Sequence, residues 1–390
     1  MEFHLEDIEK LELRILILMM NNIEKIYLEL LSVAILRRPL HDDIFVDLQD
    51  NLWQKVSALS DKQRTSAVVA ESILSLPEHL LPPRSIRMKL VLQQEQIRKK
   101  NEYFNSILAE ITEIYNSKKC QTILLKGQGV ALNYPVPLYR TPGDIDLFFL
   151  QEEDYDKANK WVFEQELPRE QESVKHMGFD WQSIHIENHR VMATFERSKY
   201  NRIYLEEESR LISNNSWEKV IFNGIEVMLL PPTFNACYLF IHLFHHFIHA
   251  GVSTRQFSDW ILLLLNNKEN INFAEAERLF DRLALRRPAA IFAAAAVKHL
   301  GVPSEIFPIP PDYDNKFVDV VMEDLLGGGH FGRYHDGKKR PPGVWSGRWH
   351  SFKRAVHRSL SMISLSPQHF MLMPLHKLLT RIKLTFRRNR

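Results

Sequence analysis

Two carboxylates one residue apart, Asp144 and Asp146, close the segment LLKGQGVALNYPVPLYRTPGDIDL that spans residues 124–147. In a strand alternate side chains share a face, so the two acids point one way while Ile145 and Leu147 point into a core. Their Cα atoms then lie roughly 6.6 Å apart. The carboxylates can converge to about 4 Å, where an effective dielectric near 20 gives a repulsion of about 4 kcal/mol. A bound cation removes that penalty. Oxygen ligands with room for water and phosphate suit Mg²⁺ or Mn²⁺, and no Cys or His lies close in sequence to argue for a softer ion. Two unassisted surface acids at a strand start are the plainer reading of an Asp-x-Asp pair taken alone.

A strand, a turn and a helix must hold this pair in place. The run 121–125 reads as a short buried strand, Lys126-Gly-Gln-Gly129 follows it, and a helix begins over Val130 to Tyr134. Such a turn leaves backbone N–H groups unpaired, and glycines let an anion approach them closely, so phosphate is the natural guest. Lys126, Gly127, Gln128 and Gly129 are therefore candidate nucleotide-binding positions. Lys126 supplies a point charge and Arg140 a planar fork. Pro135, Pro137 and Pro142 stiffen the connection, and Gly143 permits a close approach before Asp144.

The pattern Leu125-Lys-Gly127, Ala131-Leu132, Tyr134-Pro135, Arg140 and Gly143-Asp-Ile-Asp-Leu147 resembles the uncharacterised bacterial nucleotidyltransferase family of the DNA polymerase β superfamily. It is also similar to the Lys-Gly-Gly variant of abortive-infection toxin nucleotidyltransferases. That superfamily is marked by a Gly-Ser turn, an Asp-x-Asp strand and a third carboxylate on a later strand. Here Lys-Gly-Gln-Gly stands in place of Gly-Ser, and the gap from Gly127 to Asp144 is longer than in many members. The resemblance covers roughly residues 85 to 270.

A later strand supplies a third acid. Residues 183–190 alternate, with Ile184 and Ile186 on one side and His185, Glu187 and His189 on the other. Glu187 with His189 is similar to the Glu-x-His strand of the same family, which implies that Glu187 helps hold the metal and orients or deprotonates an attacking hydroxyl. Read without the resemblance, it is a solvent-facing strand residue; Glu196 is the rival acid, and His176 a neighbour. The resemblance implies Mg²⁺- or Mn²⁺-dependent transfer of an NMP group from an NTP to an acceptor hydroxyl or phosphate. Asp144, Asp146 and Glu187 would be the catalytic and metal-holding acids.

A histidine-rich helix competes for attention. Thr233 can cap its start and Gly251 end it, with His242, His245, His246 and His249 at spacings of three, four and seven. Three of them can share a face, as zinc ligands on a helix do, with Asp259 on the following helix as the carboxylate partner. The same residues also suit a helix lining a nucleotide cleft, where His189, His242, His246 and Arg255 reach substrate and Asp259 fixes orientation. Plain helix packing accounts for them as well. Two further functions stay open: a catalytically inactive nucleotide-binding regulator, and a metal-dependent hydrolase built on the histidine helix.

Composition bounds the rest. A chain of 390 residues with 45% hydrophobic and 25% charged residues is ordinary for globular protein and long enough for two or three modules. Cys120 and Cys237 form neither a metal spacing nor a disulfide framework, as expected of a reducing cytoplasm. Residues 1–7 lack the basic start of a signal peptide, and the apolar run Leu13 to Met20 is too short to span a bilayer. From residue 331 onward, 14 Lys and Arg face the single acid Asp336, so this segment carries +13 and the remainder −11. Its helix-like run Leu375 to Phe386 suits an anionic membrane surface, nucleic acid or the acidic body of the protein. A cytoplasmic protein, peripheral to the inner membrane through this tail, is the expectation.

The expected fold is α+β, a mixed sheet of the polymerase β type with helices packed on it. Helical residues 1–118 precede a core at 119–231, a helical cleft region at 232–330 and the basic extension at 331–390. Strands are expected at 144–150, 174–177, 183–188, 218–222 and 225–230, with helices at 152–166 and from about Ser85 to Ser117.

Overall fold

The structure, a computed structural model, describes residues 22–45, 50–249, 251–328, 352–353 and 356–371. The apolar run Leu13 to Met20 and the basic run Leu375 to Phe386 lie outside the described residues. Four helices open the fold: α1 (22–36), α2 (Asp50–Lys62), α3 (Ser66–Leu74) and α4 (Arg84–Ser117). Pro83 stands at the N-cap of α4, where a missing N–H costs nothing, and 34 residues then run unbroken to the sheet.

Six strands follow: β1 (Thr122–Leu124), β2 (Ile145–Phe149), β3 (His176–Trp181), β4 (Ile184–His189), β5 (Glu218–Phe222) and β6 (Ile225–Leu229). They form one mixed sheet in the order β3-β4-β2-β1-β6-β5. β1 is antiparallel to β2 and parallel to β6, and β2 is parallel to β4. The short helix α5 (Gln128–Ala131) follows β1, α6 (Glu152–Glu164) follows β2, and α7 (Ser198–Asn214) lies between β4 and β5. The chain is thus α+β, a mixed sheet flanked by helices. Asn223 and Gly224, both at positive φ, close the β5–β6 hairpin as an Asn-Gly pair should.

The third strand differs from expectation. It starts at His176 and continues to Trp181, paired along its length with β4. Gln182 and Ser183 make the turn at positive φ without a glycine, so the usual hairpin signal is missing from the sequence.

The two faces of β2 separate as the period-two pattern requires. Ile145 and Leu147 join a core with Phe104, Ile111 and Tyr115 of α4 and with α6. Phe148 joins a larger core on the other face, shared with α1 to α3 and with helices α8 (Pro232–His249), α9 (Thr254–Asn267), α10 (Phe273–Arg282), α11 (Arg286–Leu300) and α12 (Phe317–Gly328). Asp146 lies on that second face, directly beneath α8 and α9. Arg358 closes the far end of α8: its guanidinium donates to the carbonyls of Phe247 and Ile248 and pairs with Asp324, the cation a helix C-terminus favours. Among the described residues no helix is long and apolar enough to cross a membrane.

Candidate active site

Because β2 and β4 run parallel and adjacent, Asp146 pairs in register with Glu187, and the two carboxylates share one face of the sheet. Asp144 precedes β2 by one residue and faces solvent. The turn after β1 meets this strand closely. Leu125 N–H donates to the carbonyl of Asp146 at 3.0 Å, and Gly127 sits at φ 66°, where a Cβ would stand 3.1 Å from the carbonyl oxygen of Asp144. Only glycine fits that conformation without strain. Gly127→Ala is expected to cost about 1–3 kcal/mol, read as a lowered thermal unfolding midpoint, with weakened nucleotide binding because the displaced group is the backbone of Asp144.

Charges are tightly interlocked on this face. Lys126 Nζ lies 3.0 Å from Asp146 Oδ1. His189 Nε2 is 3.0 Å from the same oxygen and 2.9 Å from Glu187 Oε2, so its Nε2–H is shared between two carboxylates and the proton is fixed on that nitrogen. Asp146 and His189 have no exposed side-chain surface. Burial alone would raise the Asp146 carboxyl, but Lys126 and His189 hold it well below its ordinary value. Glu187 is likewise kept low against burial by the hydrogen bond from His189. Burial would lower the Lys126 ammonium, yet Asp146, Glu187 and Asp144 raise it. Asp144 is exposed at the lip of the cleft, yet the protein around it desolvates its carboxyl enough to raise it, with Asp146 the next cause.

Three buried atoms of this cluster lack a hydrogen-bond partner: His176 Nδ1, His189 Nδ1 and Asp146 Oδ2. For the carboxylate oxygen this is an expensive state and the one a cation would relieve. His176, Glu187 and His189 bring their donor atoms within 4.8 Å of one another. With Asp146 Oδ2 beside it, this group offers carboxylate oxygens and imidazole nitrogens together and fits a divalent ion of mixed oxygen and nitrogen preference, which suits Mn²⁺ as well as Mg²⁺.

The acids form the floor of a cleft of about 630 Å³. Lys126 and Lys175 stand beside them, Arg64 and Lys100 line another part of the wall, and α8 and α9 contribute His242, His245, His246, Arg255 and Asp259. A second hollow of about 430 Å³, beside Asn159 and Phe163 of α6, contains none of these acids. His242 is pushed well down by burial and by Lys126, so it is neutral at physiological pH. Burial and Lys126 also lower Lys175.

Several residues singled out from the sequence have other duties. Gln128 is buried, and its amide donates to Asn105 Oδ1 at 2.6 Å and Asn101 Oδ1 at 3.3 Å on α4, turned from the cleft. Gly129 packs on β6, where a Cβ would stand 2.8 Å from Leu229 Cδ2. A larger residue there would make the Leu229 side chain shift. Arg140 lines the cleft, but its Nε and one Nη bind both oxygens of Asp259 at 2.7 and 2.8 Å; the other Nη is buried without a partner. Tyr134 donates to the same carboxylate at 2.8 Å, and Arg255 donates to Thr141 O at 2.9 Å. Burial and Arg140 push Arg255 down to about 10. Asp259 thus joins the turn to α9 and does not face the histidines of α8 as a ligand. The acid beside those histidines is Glu196, hydrogen-bonded to His249.

Arg64, Lys100 and Lys175 are not legible as site residues: Lys100 ends the charged run Arg98-Lys-Lys on α4, nothing local marks Arg64 or Lys175, and tertiary packing brings all three to the cleft.

Comparison with known proteins agrees with this geometry at the level of family. The sequence model described as an uncharacterised nucleotidyltransferase matches residues 49–301. No curated protein matches the chain. The crystal structure of an antigenic nucleotidyltransferase-like protein from Paracoccidioides brasiliensis aligns with 51% of this chain and 92% of its own, at 11% identity and a TM-score of 0.30. A likeness that weak carries no argument.

Proposed function

The chain belongs to the uncharacterised nucleotidyltransferase family, and on that premise we propose that it moves an NMP group from an NTP to an acceptor by a polymerase β-type reaction. The observation that carries this reading is the in-register pairing of Asp146 with Glu187 at the floor of a polar cleft, with Asp144 at its mouth. Asp144, Asp146 and Glu187 would hold the divalent ion. Bound there, it supplies Lewis-acid stabilisation of the phosphoryl oxygens and of the leaving pyrophosphate.

The chain's own groups do the rest. The acceptor oxygen forms a bond to the α-phosphorus as the bond to the bridging oxygen of the β-phosphate breaks, and pyrophosphate departs with that electron pair. Glu187, kept ionised by His189, accepts the hydroxyl proton. Arg64, Lys100, Lys126 and Arg255 oppose the triphosphate charge from the cleft walls. The tight turn at Gly127 fixes Lys126 relative to Asp146. His242, neutral beside Lys126, offers a donor or acceptor to the sugar or base without adding charge.

Titration calorimetry with each NTP and Mg²⁺ tests binding. Saturable binding to at least one nucleotide, weakened in Lys126→Met, is expected; no binding to any nucleotide with either Mg²⁺ or Mn²⁺ contradicts the reading.

A further inference from the structure

The histidines of α8 divide into two groups once the chain is folded. His242 and His246 look into the nucleotide cleft with their rings 4.4 Å apart. His245 and His249, one helical turn apart, stack their rings at 4.4 Å on the side that meets the segment following β4. That segment delivers Glu196, whose Oε1 lies 2.5 Å from His249 Nε2. Glu196, His245 and His249 bring one donor atom each within 4.8 Å of the others.

We infer that Glu196, His245 and His249 form a second metal site, for Zn²⁺, at the rim of the cleft and separate from the catalytic acids. Two histidines four residues apart on a helix converge on a single ion, as helical zinc ligands do, and a carboxylate from a second element completes three protein ligands with a fourth position left to water. With zinc–nitrogen and zinc–oxygen bonds of about 2.0–2.2 Å, tetrahedral ligand atoms of one ion lie about 3.4 Å apart. Side-chain rotation that opens the Glu196–His249 contact and draws His245 inward gathers the three donors. Two imidazoles with one carboxylate favour Zn²⁺ over the hard Mg²⁺ of an all-oxygen site. The nearby Arg358 is paired with Asp324 and does not compete for Glu196.

The ion would join α8 to the β4–α7 connection. His245 belongs to both this cluster and the cleft wall, so the site fixes the wall's position whatever reaction the cleft performs.

The test uses the full chain, stripped with chelator and titrated with Zn²⁺ against a chromogenic competitor. Wild type is expected to bind zinc tightly, with one equivalent lost or weakened at least about 100-fold in both His245→Ala and His249→Ala, and retained in Asp144→Asn and Glu187→Gln. Zinc is also expected to raise the thermal midpoint of wild type but not of His245→Ala. His245 is exposed, so its variant folds and decides the matter if His249→Ala does not. Equal zinc stoichiometry and affinity in wild type and His245→Ala, or loss of that zinc in Glu187→Gln, overturns the assignment.

Discussion

Asp144→Asn and Asp146→Asn are each expected to lower nucleotidyl transfer by about 10³-fold, roughly 4 kcal/mol in the activation barrier. Both substitutions keep the shape of the side chain and remove the negative charge that would hold a divalent ion, and with it the positive charge that would offset the developing phosphoryl charge. They separate catalysis from folding because the two acids sit differently. Asp144 faces solvent, so its replacement leaves the unfolding midpoint nearly unchanged and shows the catalytic effect alone. Asp146 is buried against Lys126 and His189, so its replacement also weakens the fold by removing the partner of a buried ammonium. Pyrophosphate release and urea unfolding on the same preparations check both halves. A tenfold or smaller loss of turnover in Asp144→Asn would separate the Asp-x-Asp pair from the chemistry.

The largest effect on stability falls on Asp259→Ala, expected at about 3–5 kcal/mol. Asp259 accepts two hydrogen bonds from Arg140 and one from Tyr134, deep between the turn segment and α9. Arg140 is 4% exposed. Removing the carboxylate strands that guanidinium beside Arg255 with no anion. Replacing both members of the pair with apolar residues, Asp259→Leu with Arg140→Met, is expected to recover most of the loss, because neither charge then needs solvation. Burial alone would raise the Asp259 carboxyl, but Arg140 depresses it below its ordinary value. Its stabilising contribution is therefore present above the unfolded-state pKa of about 3.9 and is lost as pH falls through the depressed folded value. Wild type should lose stability over that acid range, and the double variant should show a flatter profile. Urea midpoints between pH 3 and pH 7 measure both.

What the sequence disclosed follows from which contacts are local. The Asp-x-Asp strand, the Lys-Gly turn before it and the alternation around Glu187 are written within a few residues, and the sheet places them together through short-range rules of strand pairing. The partners of Arg140, Gln128 and His249 are not. Arg140 meets Asp259 across 119 residues and His249 meets Glu196 across 53, and no local pattern encodes such a pair. Asp259 stands one helix away from the histidines in sequence, which makes it the expected ligand, but folding engages its carboxylate with Arg140 and Tyr134 instead.

Helix α7 shows a second kind of concealment. Its buried stripe runs Tyr200, Ile203, Tyr204, Glu207, Glu208 and Leu211, a helical spacing in which two of six positions are acids. Glu207 binds Arg278 and Arg282, and Glu208 accepts from Met192 N–H. The apolar periodicity is broken by residues whose burial is compensated chiefly by partners outside the helix. Gly129, beside a phosphate-binding pattern, also packs against Leu229 of β6, a contact that no local pattern shows.

The reaction class is tested most directly by supplying the protein with a divalent ion, a cell extract and NTPs labelled at either the α- or the γ-phosphate. The account predicts that α-label becomes attached to an acceptor while γ-label leaves in pyrophosphate. Transfer of γ-label to the acceptor, or its release as inorganic phosphate with no α-label transferred, would contradict it.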